Sequence, residues 1–81
     1  MVMTVTIKLF GTLGLKIEGY DHKHGLLRHV PEGTTPGDLL QELQIPLSHV
    51  GLISSNNKIL ESDMPLNNGM SVNFFSLISG G

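Results

Sequence analysis

The last residues, SLISGG at 76 to 81, place a carboxylate on Gly81 behind a second glycine, Gly80. A carboxylate that must react in another protein's active site has to pass through a narrow channel. Glycine has no Cβ and allows close backbone approach. Gly80-Gly81 would therefore leave the terminal carbonyl carbon open to a phosphate, a sulfur donor or an amine. Leu77 to Gly81, fully extended, reach about 16–18 Å, enough to enter a partner's pocket. Yet Gly-Gly at a given pair of positions arises by chance in roughly half a percent of chains, and glycine-rich ends commonly fray. On the dipeptide alone an idle end is a simpler reading than a working carboxylate.

Other residues with chemical potential carry plainer readings. YDHKH holds His22 and His24 two apart, with Asp21 and His29 nearby. On an extended segment the two histidines share a face and could share a metal ion. The spacing is loose, however, and a solvated loop is the simpler reading, so no metal is expected. GTLG at 11 to 14 is too short for a phosphate loop, and no Lys-Ser/Thr follows it. Glu18, Asp21, Glu61 and Asp63 make no acid–base pair in sequence and read as solvated surface.

Composition removes several function classes. There is no Cys, hence no thiol nucleophile, thiolate metal site or disulfide. That fits a reducing compartment, and a cytoplasmic location is expected. Net charge is -2, and the basic residues Lys8, Lys16, Lys23, Arg28 and Lys58 are scattered. No basic stripe exists to neutralise phosphates, so nucleic acid is not an expected partner. No apolar run has the length of a membrane span, and Met1 to Phe10 does not read as a signal peptide.

With 81 residues and 40% hydrophobic content, the chain fits one domain with one small core. Met3, Val5, Ile7 and Leu9 alternate with Thr4, Thr6 and Lys8, a strand with one buried face. Residues 11 to 25, with four glycines, read as a turn or irregular loop. Leu26 to Val30 form a second strand that returns as a hairpin. In TTPGDLLQEL, Thr35 is an N-cap, Pro36 opens the helix and Asp38 suits its first turn. Leu39, Leu40 and Leu43 supply the apolar face, and Pro46 ends the helix by Gln44 or Ile45. Val50, Leu52 and Ile53 make a third strand, Asn56-Asn57 a tight turn, and Lys58 to Leu60 a short return. Asn68-Gly69 is a hairpin-type signal. Met70, Val72 and Phe74 alternate with Ser71 and Asn73 in a last strand.

The order strand, strand, helix, strand, short strand, strand predicts an α+β roll of β-grasp shape. It has a mixed four- to five-stranded sheet with one main helix packed on one face. The first and last strands lie parallel in its centre. Residues 1–75 form the domain, and 76–81 a flexible tail aimed by the last strand. On that strand Phe74 points inward and Phe75 outward. Phe75 lies either on a partly covered back face or in an apolar partner patch. Leu77 and Ile78 lie beyond the sheet with little core to join, so they are expected to bind a partner.

VNFFSLISGG at 72–81, preceded by NNKILESDMPLNNGMSV at 56–72, resembles the ubiquitin-like sulfur carriers. That family includes MoaD, the small subunit of molybdopterin synthase, and the thiamine carrier ThiS. Asn57, Asp63, Leu66, Asn68-Gly69 and Gly80-Gly81 carry the likeness, and PEGTTPGDLLQEL at 31–43 resembles the family's strand-to-helix junction. Two features differ. Ser76-Leu77 stand where many MoaD members have prolines, and residues 11–25 lack an Arg- and Leu-rich first helix.

The resemblance implies a carrier, not an enzyme. A ubiquitin-activating-type adenylyltransferase would adenylate Gly81 with ATP, and a persulfide donor would convert it to a thiocarboxylate. A synthase large subunit would hold the acceptor, most simply a molybdopterin- or tungstopterin-type precursor. Gly80 and Ser79 would thread the partner's channel. The carrier itself would bind no cofactor, since ATP is consumed by the partner. Alternatives are a thiamine-pathway carrier, a ubiquitin-like modifier joined to lysine through Gly81, and a plain interaction module with an inert tail.

Overall fold

The computed structural model describes residues 1–21 and 23–77. Five strands, β1 (Val2–Phe10), β2 (Leu26–Pro31), β3 (Val50–Ser55), β4 (Lys58–Ile59) and β5 (Ser71–Ser76), form one sheet in the order β2-β1-β5-β3-β4. β1 and β2 pair antiparallel, while β1 and β5 run parallel at the centre. One α-helix, α1 (Pro36–Glu42), lies in the crossover from β2 to β3. This is the mixed β-grasp roll expected from the element order.

Alternation along β1 buries Met3, Val5, Ile7 and Leu9. They join Val72 and Phe74 of β5, Ile53 of β3 and Leu39 and Leu40 of α1 in a single core. Thr35 caps α1 reciprocally. Its hydroxyl accepts from the Asp38 N–H at 3.1 Å, and the Asp38 carboxylate accepts from the Thr35 N–H at 3.1 Å.

The helix stops earlier than Pro46 alone requires. Its last helical residue is Glu42, and Gln44 turns left-handed at φ +60. The Gln44 N–H donates to the Gln41 carbonyl at 3.1 Å and the Ile45 N–H to the Leu40 carbonyl at 2.9 Å. That bond pair is a Schellman stop. Burying Ile45 drives it, because one more helical turn would aim that side chain away from the core.

Residues 11–25 are more ordered than a plain loop. Gly11–Lys16 form a 3-10 helix that buries Leu13 completely. β2 begins opposite Ile7, so the Leu9 N–H has no strand partner on that side. It donates to the Tyr20 hydroxyl at 2.6 Å. A second short 3-10 helix, Leu47–His49, leads into β3.

Asn56 and Asn57 both have positive φ, and Ser55 pairs with Lys58 across them, a two-residue type I′ hairpin. Asn68-Gly69 does form a turn, but not a hairpin. The Met70 N–H closes it on the Asn67 carbonyl, and the turn docks on β1. There the Thr4 N–H donates to Asn68 Oδ1 at 2.8 Å, and the Gly69 N–H donates to the Thr4 carbonyl at 2.7 Å. The strand that follows is parallel to β1, so the turn serves as its lead-in.

Candidate functional site: the exit of the last strand

β5 delivers its end between β1 and β3. Phe74 is fully buried, and Phe75 falls on the opposite face with Asn73, as the pleat requires. In the parallel register Phe75 lies opposite Phe10, and the two rings stack with centroids 4.7 Å apart and 13° between planes. On the other side Leu52 of β3 pairs with Phe75. Phe10 and Leu52 are each 40% exposed and Leu77 is 58% exposed. Phe75 is thus half covered by its neighbours and central to an open apolar row.

Leu77 divides two shallow depressions. One is lined by Gly51, Leu52, Phe75 and Ser76. The other is lined by Thr12, Lys16, Ser48 and His49. The Leu77 N–H donates to the His49 carbonyl at 2.9 Å, one step past the last strand pair, Val50 with Ser76. Ile78, Ser79, Gly80 and Gly81 lie outside the described residues, as does His22.

Sequence reasoning missed Phe10, Leu52 and the glycines beside the exit. Their signal is a register one. Phe10 meets Phe75 only when β1 and β5 are paired, and nothing local states that offset.

Of the histidines in and near YDHKH, the two described ones, His24 and His29, have separate partners. His24 Nδ1 lies 2.8 Å from Asp21 Oδ2, and Asp21 Oδ1 accepts from the Lys23 N–H at 2.9 Å. The His24 contact first, and that N–H second, hold the Asp21 carboxyl below its ordinary value. His29 instead contacts the Thr4 hydroxyl at 3.0 Å on the sheet. Among the described residues no three His, Cys, Asp or Glu side chains are placed to hold a metal ion. Glu18, Asp21, Glu61 and Asp63 are all exposed. No helix of the described residues is long and apolar enough to cross a membrane.

A model of the ThiS family matches residues 7–81, nearly the whole chain and through its final glycine. The chain belongs to the ThiS family. It is therefore a small sulfur-carrier-type protein, in a family of carriers that act with partner enzymes in sulfur transfer and are not enzymes themselves. The solution structure of the HVO 2177 protein from Haloferax volcanii superposes with a TM-score of 0.74 at 20% identity, covering 99% of this chain and 88% of that one. At that identity the likeness speaks to the ThiS-type fold alone. A search of the curated proteins finds no match.

Proposed function

We propose that this ThiS-family chain carries sulfur as a thiocarboxylate on Gly81. The observation that carries the reading is the family match extending through Gly81. A carboxylate is a poor electrophile until one oxygen joins a good leaving group. In the proposed sequence a Gly81 carboxylate oxygen attacks the α-phosphorus of ATP on an activating partner, and pyrophosphate leaves. A persulfide sulfur then attacks the acyl carbon and AMP leaves. A second thiol cleaves the resulting acyl disulfide and frees the thiocarboxylate. Acids, bases and metal ions for these steps come from the partners.

The row Phe10, Leu52, Phe75 and Leu77 supports docking beside the exit, with Ile78, Ser79 and Gly80 leading into the partner's channel. Open apolar area next to a reactive terminus is where a partner gains binding energy without obstructing the chemistry. The acceptor proposed first is a molybdopterin- or tungstopterin-type precursor on a synthase large subunit. A thiamine-pathway acceptor is the second reading, favoured by the ThiS description of the matching family.

The test is deletion of Gly80-Gly81. It is expected to abolish covalent activation in extracts of the source cells while leaving the melting temperature unchanged. Adducts joining the chain to lysines of other proteins, with no sulfur-bearing form, would favour a modifier instead.

A further inference from the structure

Two glycines from different elements back onto the root of the tail, Gly11 onto Ser76 and Gly51 onto Leu77 and the Ser76 carbonyl. β5 ends at Ser76 between Gly11, which directly follows β1, and Gly51 of β3. At Gly11, φ is +66 and any Cβ would overlap Ser76 Oγ. At Gly51 a Cβ would lie 3.1 Å from Leu77 Cα and 3.3 Å from Leu77 Cδ1. Gly51 is absent from the set of positive-φ residues, so its backbone does not call for glycine; the space does. It is also the extra residue of a bulge, because Val50 pairs with Ser76 and Leu52 with Phe75. A bulge bends its strand and increases the local twist. The Thr12 N–H closes the ring on Ser76 Oγ at 3.4 Å, and the Leu77 N–H closes it on the His49 carbonyl at 2.9 Å.

We propose that Gly11, Gly51 and Ser76 form a collar that fixes the direction and register in which the chain leaves β5. They are then positioning residues for activation of the terminal carboxylate, an inference that rests on the carrier reading above. The physical reason is leverage. The four residues beyond Leu77 span at most about 13–14 Å. Over that length a tilt of about 20° at Leu77 displaces the tip by about 5 Å. A reacting group misplaced by about 1 Å can lose about 100-fold in rate. Without a collar, that ordering would have to be supplied by the partner at each encounter.

The experiment compares wild type, Gly51→Ala and Gly19→Ala, all as full chains. Gly19 also has a positive φ, +74, but a Cβ there meets nothing within 4 Å. It carries the cost of a strained backbone without touching the tail. Two quantities are read. One is amide hydrogen exchange at Leu77. The other is conversion of the intact mass to the sulfur-bearing form in clarified source-cell extract, supplied with ATP and cysteine, against carrier concentration.

For Gly51→Ala, the Leu77 amide should exchange at least about tenfold faster, and the maximal conversion rate should fall about tenfold. The half-saturating concentration should stay within about twofold, because Phe10, Leu52 and Phe75 remain to dock. Gly19→Ala should match wild type in all three. A Gly51→Ala chain that converts at the wild-type rate, or that changes only its half-saturating concentration, overturns the collar. If wild type itself gains no sulfur, the carrier reading fails, and unchanged Leu77 exchange in Gly51→Ala then overturns the collar separately. Should Gly51→Ala not fold, Ser76→Ala takes its place. It adds no bulk, removes the bond to Thr12, and should lower the maximal rate about two- to threefold; no change in rate or exchange overturns the collar.

Discussion

Gln44 is held at φ +60 with a side chain that glycine would lack. A Cβ in that region crowds the following carbonyl, which is why this position after a helix usually holds Gly or Asn. Gln44→Gly should relieve the crowding and raise stability by about 0.5–1 kcal/mol in urea or thermal unfolding, net of glycine's extra freedom in the unfolded chain. A loss of stability would mean that the Gln44 side chain makes a compensating contact. The helix start was readable because Thr35 and Asp38 act within three residues of one another. The stop was readable only as to region, since Gln does not announce a left-handed turn. The decisive fact, burial of Ile45, belongs to the tertiary structure.

The Asp21–His24 contact makes a second test at this scale. Because the folded carboxyl sits below its ordinary value, the contact favours the folded state above the ordinary carboxylate range. That contribution fades as pH falls through the lowered value. His24→Ala should move the Asp21 titration midpoint, followed by NMR at its carboxyl carbon, upward toward the ordinary value. An unmoved midpoint would assign the lowering to the backbone N–H groups of Lys23 and His24.

At the scale of elements, Gly11–Lys16 is where structure adds most to the sequence. Leu13 and Leu15 are the same residue type two positions apart, yet Leu13 is 0% exposed and Leu15 77%. Leu13→Ala should cost about 2–5 kcal/mol in denaturant unfolding, and Leu15→Ala no more than about 0.5 kcal/mol. Equal effects would contradict the packing of this turn. Strands with period two were legible because one face is buried all along them, as in β1. A 3-10 helix of six residues has no such period, and four glycines within 11 to 25 masked the anchor at Leu13. Asn56-Asn57 was legible because its turn chemistry is local. Asn68-Gly69 has the same local look, but which strand follows it in space depends on β1, more than sixty residues earlier.

For the whole molecule, parallel pairing of β1 with β5 sets the first and last strands side by side and decides where the last strand emerges. Connection rules and element order were sufficient for that, because few right-handed crossovers fit two strands, a helix and three strands. The exit's surroundings were legible only through Phe75 and Leu77, which lie on the last strand or just beyond it. Phe10, Leu52 and Gly51 come from two other strands and Gly11 from the turn after β1, and only the register brings them to that edge. The composition belongs to the same account. A carrier whose chemistry sits at one terminus needs a stable, small scaffold and a surface that partners can grip.

The most direct measurement is the intact mass of the untagged chain purified from its own cells. A fraction heavier by the exchange of one oxygen for sulfur, localised to Gly81 by fragmentation and absent when Gly81 is deleted, is the predicted result. A single unmodified mass, with no AMP or sulfur adduct even after incubation with ATP and source-cell extract, would contradict sulfur carriage on Gly81.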